Sequence, residues 1–142
     1  MTSKFSDGIE YFYSKNDPSI LLHQLFTPKD NNKRTNISPE NQSLQVAYLS
    51  LNNQQTFKPH KHVFFERQMP IAQESWVLIT GKVKIFYYDL DDKLLTTRDM
   101  QSGDCTITYR GGHNYQALEE GTLVYEFKTG PYLGVEKDKA FI

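Results

Sequence analysis

Residues 57–81 read FKPHKHVFFERQMPIAQESWVLITG, and this stretch decides the fold. Its two histidines, His60 and His62, are one residue apart on a segment that we predict to be a strand, so their side chains point the same way. Glu74 opens the next predicted strand and can meet them across the ladder. A third histidine, His113, follows a Gly-Gly corner further along the chain.

These four side chains predict a metal site. Neutral imidazole and carboxylate together bind Fe(II), Mn(II), Ni(II), Co(II) or Zn(II), and the ligand set does not say which ion is present. With His60, His62, Glu74 and His113 as ligands, coordination positions remain open for water and substrate. The expected cofactor is therefore one divalent metal ion of unknown identity.

Length and charge limit the classes of protein to be considered. The 142 residues suit one domain, 1–142, with a core that needs no disulfide. With 16 basic and 17 acidic residues the net charge is −1, and no basic block stands out, which argues against nucleic acid or anionic membrane as a partner. The N-terminus lacks an apolar signal core, and no apolar run is long enough to span a bilayer, so we expect a cytoplasmic protein.

Most of the chain is predicted to be β-strand. Short alternating segments are separated by turn residues, and little helix is expected, which is typical of an antiparallel sandwich or barrel. The predicted strands are 9–13, 44–51, 58–64, 74–79, 82–88, 94–100, 105–108, 115–118 and 122–128. We place the barrel at about 44–130 and an N-terminal strand-and-helix arm at about 1–43.

The N-terminal arm contains the one predicted helix. Asp17-Pro18 resembles an N-cap followed by proline at the first helical position, and residues 20–25 supply about two turns. His23 is expected on the exposed side of this helix. Polar residues 27–43 are expected to form a loop.

Two further features are interpreted as structural. The aspartates of residues 89–93 lack the glycine and distal glutamate of a calcium loop, so we predict a solvated hairpin turn. The single cysteine, Cys105, cannot form an internal disulfide and is expected to be a small buried hydrophobe.

The motif residues resemble the cupin superfamily of small double-stranded β-helix barrels, also called jelly rolls. In its first motif, His-x-His is followed by a gap, a glutamate and, six residues later, a glycine, as in His60, His62, Glu74 and Gly81, although the gap is longer than usual here. The second motif begins Gly-Asp and ends near a histidine. It corresponds to residues 103–113, with Tyr109 in place of the usual proline and one residue fewer before His113.

The resemblance leaves two glutamates as alternatives for the acidic ligand. Glu66 keeps the short spacing from His62 that is usual in cupins. Glu74 keeps the six-residue step to Gly81 and lies on the following strand, so we favour it. Some sugar-nucleotide ketoisomerases of this superfamily work without a metal and carry glutamine near this position, whereas a carboxylate favours a cation.

The resemblance also implies a function. The Gly81-Lys-Val-Lys-Ile strand is similar to those of barrels in bacterial polysaccharide and nucleotide-sugar pathways, which implies a homodimeric isomerase, epimerase or lyase acting on a small sugar or nucleotide-sugar. The candidate catalytic residues are His62 and Tyr115, and the candidate substrate-binding residues are Arg67, Trp76, Tyr87, Tyr109 and Arg110. Two alternatives stay open: a carbohydrate-binding or sensing protein without catalysis, and a metal-free isomerase or epimerase with His60 or His62 as general base.

Overall fold

The structure is a computed structural model that describes residues 3–30 and 33–142. Within these residues it contains eleven β-strands and one short helix. The strands are β1 (Ser3–Ser6), β2 (Ile9–Tyr13), β3 (Leu21–Phe26), β4 (Arg34–Asn36), β5 (Ala47–Leu49), β6 (Glu74–Thr80), β7 (Val83–Tyr88), β8 (Leu94–Met100), β9 (Cys105–Thr108), β10 (His113–Ala117) and β11 (Leu123–Lys128), and the helix is α1 (Val135–Asp138). The predicted all-β class is confirmed.

All strand pairs are antiparallel and form three sheets. The largest has six strands in the order β1-β2-β3-β9-β6-β11, the second has the order β10-β7-β8, and β4 and β5 form a separate pair. No sheet closes on itself among the described strands. The result is a layered antiparallel structure in which β10 and β11 are edge strands.

The main core lies between the six-stranded and three-stranded sheets. Alternation along β7 sends Val83, Ile85 and Tyr87 inward, and each is at most 1% exposed. They pack against apolar side chains of the larger sheet, including Phe12 and Leu78. Burial of these apolar side chains between the sheets stabilises the fold.

A second apolar cluster covers the opposite face of the six-stranded sheet. Phe26, Cys105 and Ile107 belong to it, together with Val46 and Tyr48 from the region of the β4–β5 pair. The prediction that Cys105 is a small buried hydrophobe is confirmed, since its thiol is free and its side chain is buried. The six-stranded sheet is therefore covered on both faces near its centre.

The predicted N-terminal helix is wrong, because residues 21–26 form the central strand β3. Five consecutive residues of this strand, Leu22 to Phe26, are buried. A short apolar run is compatible with a helix or with a strand covered on both faces, and its periodicity does not separate the two. His23 is accordingly fully buried rather than exposed. Strands β1 to β3 form half of the main sheet, so residues 3–26 are part of the body of the protein and not an arm.

The predicted strand at 58–64 is also wrong. Residues 51–72, hereafter the histidine segment, contain no helix or strand, and every one of them is exposed. The ends of the segment are held by its neighbours: the Ser50 N–H donates to the Lys33 carbonyl (2.6 Å), and the Gln73 N–H donates to the Thr129 hydroxyl (3.0 Å). Pro59 removes one ladder donor from the middle of the predicted strand.

The predicted hairpin turn at 89–93 is confirmed, but its first residue, Asp89, is buried rather than solvated. The Asp89 N–H donates to the Lys93 carbonyl (2.9 Å), and Asp92 adopts the left-handed conformation with φ 62°. The Asp89 carboxylate accepts hydrogen bonds from the Ser14 hydroxyl (2.5 Å) and the Lys15 N–H (2.6 Å), which fixes the turn against the end of β2. In the described part of the chain, no helix has the length and apolar character needed to cross a bilayer.

Candidate functional site

A cleft of about 700 Å³ opens where the two larger sheets separate, beside the edge strands β10 and β11. It contains six of the residues predicted for the site. These are Glu74, Trp76, Tyr109, Arg110, His113 and Tyr115. Residues that are remote in sequence meet here. They come from β6, the β9–β10 connection, β10, β11 and the C-terminal tail.

Glu74 and His113 form the polar centre of the cleft. Nε2 of His113 lies 3.2 Å from Oε1 of Glu74, with both side chains largely buried. Glu74 opens β6 of the large sheet and His113 opens β10 of the small one. The pair therefore bridges the two sheets.

Strand register explains why these side chains meet. His113 lies opposite Tyr87, and Tyr115 lies opposite Ile85, so both share the inward face of the small sheet with those two buried residues. Glu74 shares its face with Leu78, four residues along the same strand, and Leu78 is fully buried between the sheets. A one-residue shift in either strand would turn the corresponding group away from the cleft.

Two opposing influences act on the pKa of Glu74. Burial raises this pKa, but the hydrogen bond and charge of His113, a hydrogen bond with Glu126 and the charge of Lys139 lower it more, and the resulting pKa lies below the ordinary value of 4.5. Glu74 is therefore ionised at neutral pH. An ionised carboxylate in contact with an imidazole can bind a cation or orient the ring for proton transfer.

An aromatic pair forms one wall of the cleft. The rings of Trp76 and Tyr115 are stacked with centroids 3.8 Å apart, and the Trp76 indole N–H donates to the Glu126 carboxylate (3.0 Å). Glu126 lies opposite Trp76 in the β6–β11 ladder. The stack joins the two sheets next to the Glu74–His113 pair and holds the wall rigid.

Two buried polar atoms of the site have no hydrogen-bond partner among the described residues: Nδ1 of His113 and the hydroxyl of Tyr115. Burial also raises the pKa of Tyr115 well above its ordinary value of 10, so the hydroxyl keeps its proton. Leaving a buried polar atom unpaired costs about 1–3 kcal/mol. Both atoms are shielded from solvent here, so pairing either of them with a ligand requires the side chains around it to move apart.

His23 supports the floor of the cleft. Burial lowers its pKa from 6.5 to about 3, so the ring is neutral. Its Nε2–H donates to the carbonyl of Tyr88 (3.0 Å), and its Nδ1 accepts from the hydroxyl of Thr108 (2.9 Å). Both partners line the cleft. Gly111 approaches this ring closely with φ +79°, and a Cβ there would lie 2.5 Å from the Tyr88 carbonyl oxygen, which explains the need for glycine at the corner before His113.

The C-terminal tail closes one side of the cleft. Residues 138–142 line it, and a Cβ on Gly112 would lie 2.5 Å from Cδ1 of Ile142, so the tail packs directly against the Gly-Gly corner. Lys128 of β11 lies 3.8 Å from the Asp138 carboxylate. These contacts fix the tail beside the Glu74–His113 pair.

The remaining predicted site residues lie elsewhere. His60 and His62 lie on the exposed histidine segment with their ring centroids 5.7 Å apart, and Arg67 and the alternative ligand Glu66 are exposed on the same segment. None of these four lines the cleft. Tyr87 is fully buried between the sheets, where its hydroxyl contacts that of Thr106, so it belongs to the core rather than to the lining.

A divalent metal fits part of this arrangement. Two adjacent ligands at about 2.1 Å from an octahedral ion are about 3.0 Å apart, close to the 3.2 Å between Nε2 of His113 and Oε1 of Glu74. Within the described ranges, no cluster of three or more His, Cys, Asp or Glu side chains could hold a metal. The pair could thus supply two ligands, and a complete site needs donors from another part of the chain or from a second molecule.

Sequence reasoning missed Glu126, Thr108 and His23. Glu126 could have been predicted as a site residue from the pattern of β11. Along this strand Leu123, Tyr125 and Phe127 alternate with Val124, Glu126 and Lys128. Glu126 and Lys128 therefore share one face of the strand. Nothing in the sequence signals His23, whose role depends on the unexpected strand β3.

Compared with protein-family models, curated proteins and solved structures, the chain gives no match. The cupin resemblance therefore remains a prediction from the motif residues, and any function has to be argued from the cleft itself.

Proposed function

We propose that the protein is a cupin-type enzyme that isomerises, epimerises or cleaves a sugar or nucleotide-sugar of a polysaccharide pathway, with the cleft as its active site. In this proposal Glu74 and His113 bind a divalent metal together with His60 and His62. The ion would supply Lewis-acid stabilisation of a carbonyl or enediolate oxygen of the substrate. The cytoplasm and a homodimer remain the predicted setting.

The observation that carries the proposal is the contact between Glu74 and His113 inside a cleft. The two residues are 39 positions apart and belong to different sheets, yet their polar atoms lie 3.2 Å from each other. The motif resemblance predicts this encounter. A purely structural ion pair is not expected to sit beside a cleft of about 700 Å³ with two unpartnered polar atoms.

The lining suits a polar ring-shaped substrate. A cleft of about 700 Å³ lies within the usual range of small-molecule sites. The Trp76–Tyr115 stack offers an apolar wall, and the guanidinium of the exposed Arg110 at the border can hydrogen-bond a phosphate or carboxylate in a bidentate way. Together these groups favour a sugar carrying an anionic substituent.

Individual side chains take distinct roles in this proposal. Glu74 orients the His113 ring, and Tyr115, which keeps its proton, can donate a hydrogen bond to a developing oxyanion. Tyr109 is too deeply buried for direct contact; its hydroxyl donates to the Gln24 side chain and holds the β9 end of the cleft. His62 keeps its predicted catalytic role only if the histidine segment reaches a cleft.

The test is turnover of a nucleotide-sugar panel by the wild-type protein and by a matched pair of variants, Glu74→Gln and Glu66→Gln. We expect Glu74→Gln to lower the rate at least about 100-fold, because a positioned ionised group at the reaction centre contributes on that scale. Glu66→Gln should retain the wild-type rate. Equal rates for Glu74→Gln and wild type would contradict the proposal, and ligand binding without any turnover would favour a non-catalytic carbohydrate-binding protein.

One observation also favours a second candidate, the metal-free isomerase or epimerase. In the structure His113 contacts Glu74 directly, as a general base contacts the carboxylate that orients it. Dialysis against a strong chelator separates the two candidates. Activity that survives metal removal supports the metal-free enzyme, with His113 as a base that Glu74 orients. Activity that is lost and then restored by added metal supports the metal-dependent enzyme.

A further inference from the structure

The Gly-Gly corner at the cleft has two backbone donors without a protein acceptor. The N–H groups of Gly111 and Gly112 donate no hydrogen bond within residues 3–30 and 33–142, although the Gly112 carbonyl accepts one from the Tyr88 N–H (2.8 Å). Both glycines line the cleft. Gly111 adopts the left-handed conformation with φ +79°, and a turn of this kind can direct successive N–H groups toward one bound anion.

The charged side chains of the cleft differ in whether they have partners. The acidic ones are Glu74, Glu126 and Asp138, and the basic ones are Arg110, Lys128 and Lys139. Each carboxylate already contacts a protein donor: His113, the Trp76 indole N–H and Lys128, in that order. Arg110 and Lys139 have no carboxylate within 4 Å in the described part of the chain. Two positive charges therefore remain available to a ligand.

Arg110 and Lys139 both lie beside the corner. Arg110 directly precedes the two glycines, and Ile142 packs on Gly112, so this part of the tail runs along the corner. Three residues of extended chain span at most about 11 Å, a distance that the two long side chains can bridge from either end. The charge of Lys139 also lowers the pKa of Glu74, which is consistent with an ammonium group close to the cleft.

We propose that Arg110, Lys139 and the N–H groups of Gly111 and Gly112 bind a phosphoryl group of the substrate. The inference rests on the proposed function, because it names the anionic substituent that the sugar or nucleotide-sugar carries. The attached ring then lies against the Trp76–Tyr115 stack, next to the Glu74–His113 pair.

The donors match a phosphoryl group better than a carboxylate. A phosphate ester carries up to two negative charges and three strong acceptor oxygens. A guanidinium can form two parallel hydrogen bonds to such a group, and an ammonium adds a compact second charge. A carboxylate has one charge and two oxygens in one plane, so it would leave part of this donor set unused.

The acidic residues of the cleft set the direction in which such a ligand binds. Glu74 and Glu126 belong to the large sheet, on β6 and β11, whereas Arg110 lies on the β9–β10 connection and Lys139 on the tail. An anion is attracted to the corner and repelled from the two strands. A substrate with a phosphoryl group at one end is therefore bound in one orientation.

The test is an NMR titration of the full chain with inorganic phosphate, followed at the backbone amides. We expect the largest chemical-shift changes at the Gly111 and Gly112 N–H groups, and little change with acetate at equal ionic strength. A hexose phosphate and a nucleoside diphosphate should shift the same two amides. Whichever of these two has the lower Kd identifies the source of the phosphoryl group.

Three variants with the same change of charge locate the site. Arg110→Ala and Lys139→Ala should each raise the Kd for phosphate about 10-fold or more, because each removes a charge-assisted hydrogen bond. The control Lys93→Ala removes a lysine that is 82% exposed on the 89–93 hairpin, and it should leave the Kd within about twofold of wild type. Arg110 and Lys139 are also exposed, so both variants should fold, which the same amide spectra verify.

Unchanged Gly111 and Gly112 amides at high phosphate, or equal losses of affinity in all three variants, would overturn the inference. Failure of the proposed function looks different. If phosphate binds at the corner but no nucleotide-sugar is turned over, the anion site stands and the enzymatic proposal fails. If turnover depends on Glu74 while Arg110→Ala and Lys139→Ala leave KM unchanged, the anion site fails and the proposed function stands.

Discussion

The His113 corner and the histidine segment carry the same chemistry in opposite structural settings. His113 begins a paired strand, and its register with Tyr87 fixes its ring against Glu74. His60 and His62 lie on a segment that forms no strand pair with the described residues, and their side chains are exposed. The ladder and the core around His113 position its ring, whereas nothing comparable surrounds His60 and His62 within the described residues.

The largest expected effect concerns His23, which supports the corner from beneath. Below pH 6.5 His23 becomes protonated in the unfolded chain. In the folded chain its ring stays neutral until the pH approaches 3. The unfolded state then binds more protons, so the free energy of unfolding falls as pH falls through this window, by roughly 4–5 kcal/mol at most.

Urea unfolding of the wild type and His23→Gln between pH 7 and pH 3.5 measures this effect. The variant should lose most of the pH slope in this range, while slopes due to carboxylates such as Asp89, whose pKa hydrogen bonds hold below 3.8, remain in both proteins. Parallel pH profiles for the two proteins would show that His23 is not buried as a neutral ring.

The next largest effect is the difference in stability lost on truncating a side chain in the core and one in the histidine segment. Leu78→Ala removes a fully buried side chain between the sheets and should lower the free energy of unfolding by about 3–4 kcal/mol. Phe64→Ala removes a side chain that is 96% exposed and should change it by less than about 0.5 kcal/mol in dilute, monomeric protein. Denaturant titration measures both values, and a large loss for Phe64→Ala in the monomer would place the segment against its own chain.

The smallest effect separates function from stability at the corner. Tyr115→Phe deletes a buried hydroxyl that has no partner within the described ranges, so the free energy of unfolding should rise by about 1 kcal/mol. Turnover should fall, because the hydroxyl is the proposed hydrogen-bond donor to the substrate. A variant that is less stable than the wild type and equally active would contradict both statements.

The strands of the C-terminal half could be predicted from sequence because most of them alternate regularly. The predicted strands 94–100 and 105–108 match β8 and β9, and those at 74–79, 82–88 and 122–128 agree within a residue with β6, β7 and β11. Turn residues bound each of them, and all except β9, which is buried on both faces, place one face on the core.

In the N-terminal half the strand predicted at 9–13 is confirmed as β2 and the one at 44–51 contains β5, but the rest could not be predicted in this way. Strand β3 is buried on both faces, so its alternation disappears, and Asp17-Pro18 imitates a helix start. Short β4 was missed because Arg34–Asn36 pairs only with β5 over three residues. The segment at 58–64 was predicted from two histidines spaced as on a strand face, but it has no partner strand within the described ranges. Pairing depends on a neighbour that local sequence does not specify.

The candidate site was predictable to the extent that its residues lie on regular strands. Glu74, Trp76, His113 and Tyr115 were singled out and meet in the cleft, whereas Tyr87, one residue away from a cleft residue, faces the core. Tyr87 shares the inward face with His113 but packs against Phe12 and His23, whereas Tyr88 at the end of β7 lines the cleft.

The central claim is that Glu74 and His113 are ligands of one divalent cation. Anomalous diffraction from crystals grown with Mn(II) or Zn(II) tests it most directly. The account predicts one strong peak at about 2.0–2.3 Å from a carboxylate oxygen of Glu74 and from Nε2 of His113. A refined structure in which these two atoms keep their direct hydrogen bond while the anomalous signal lies elsewhere, or is absent, would contradict it.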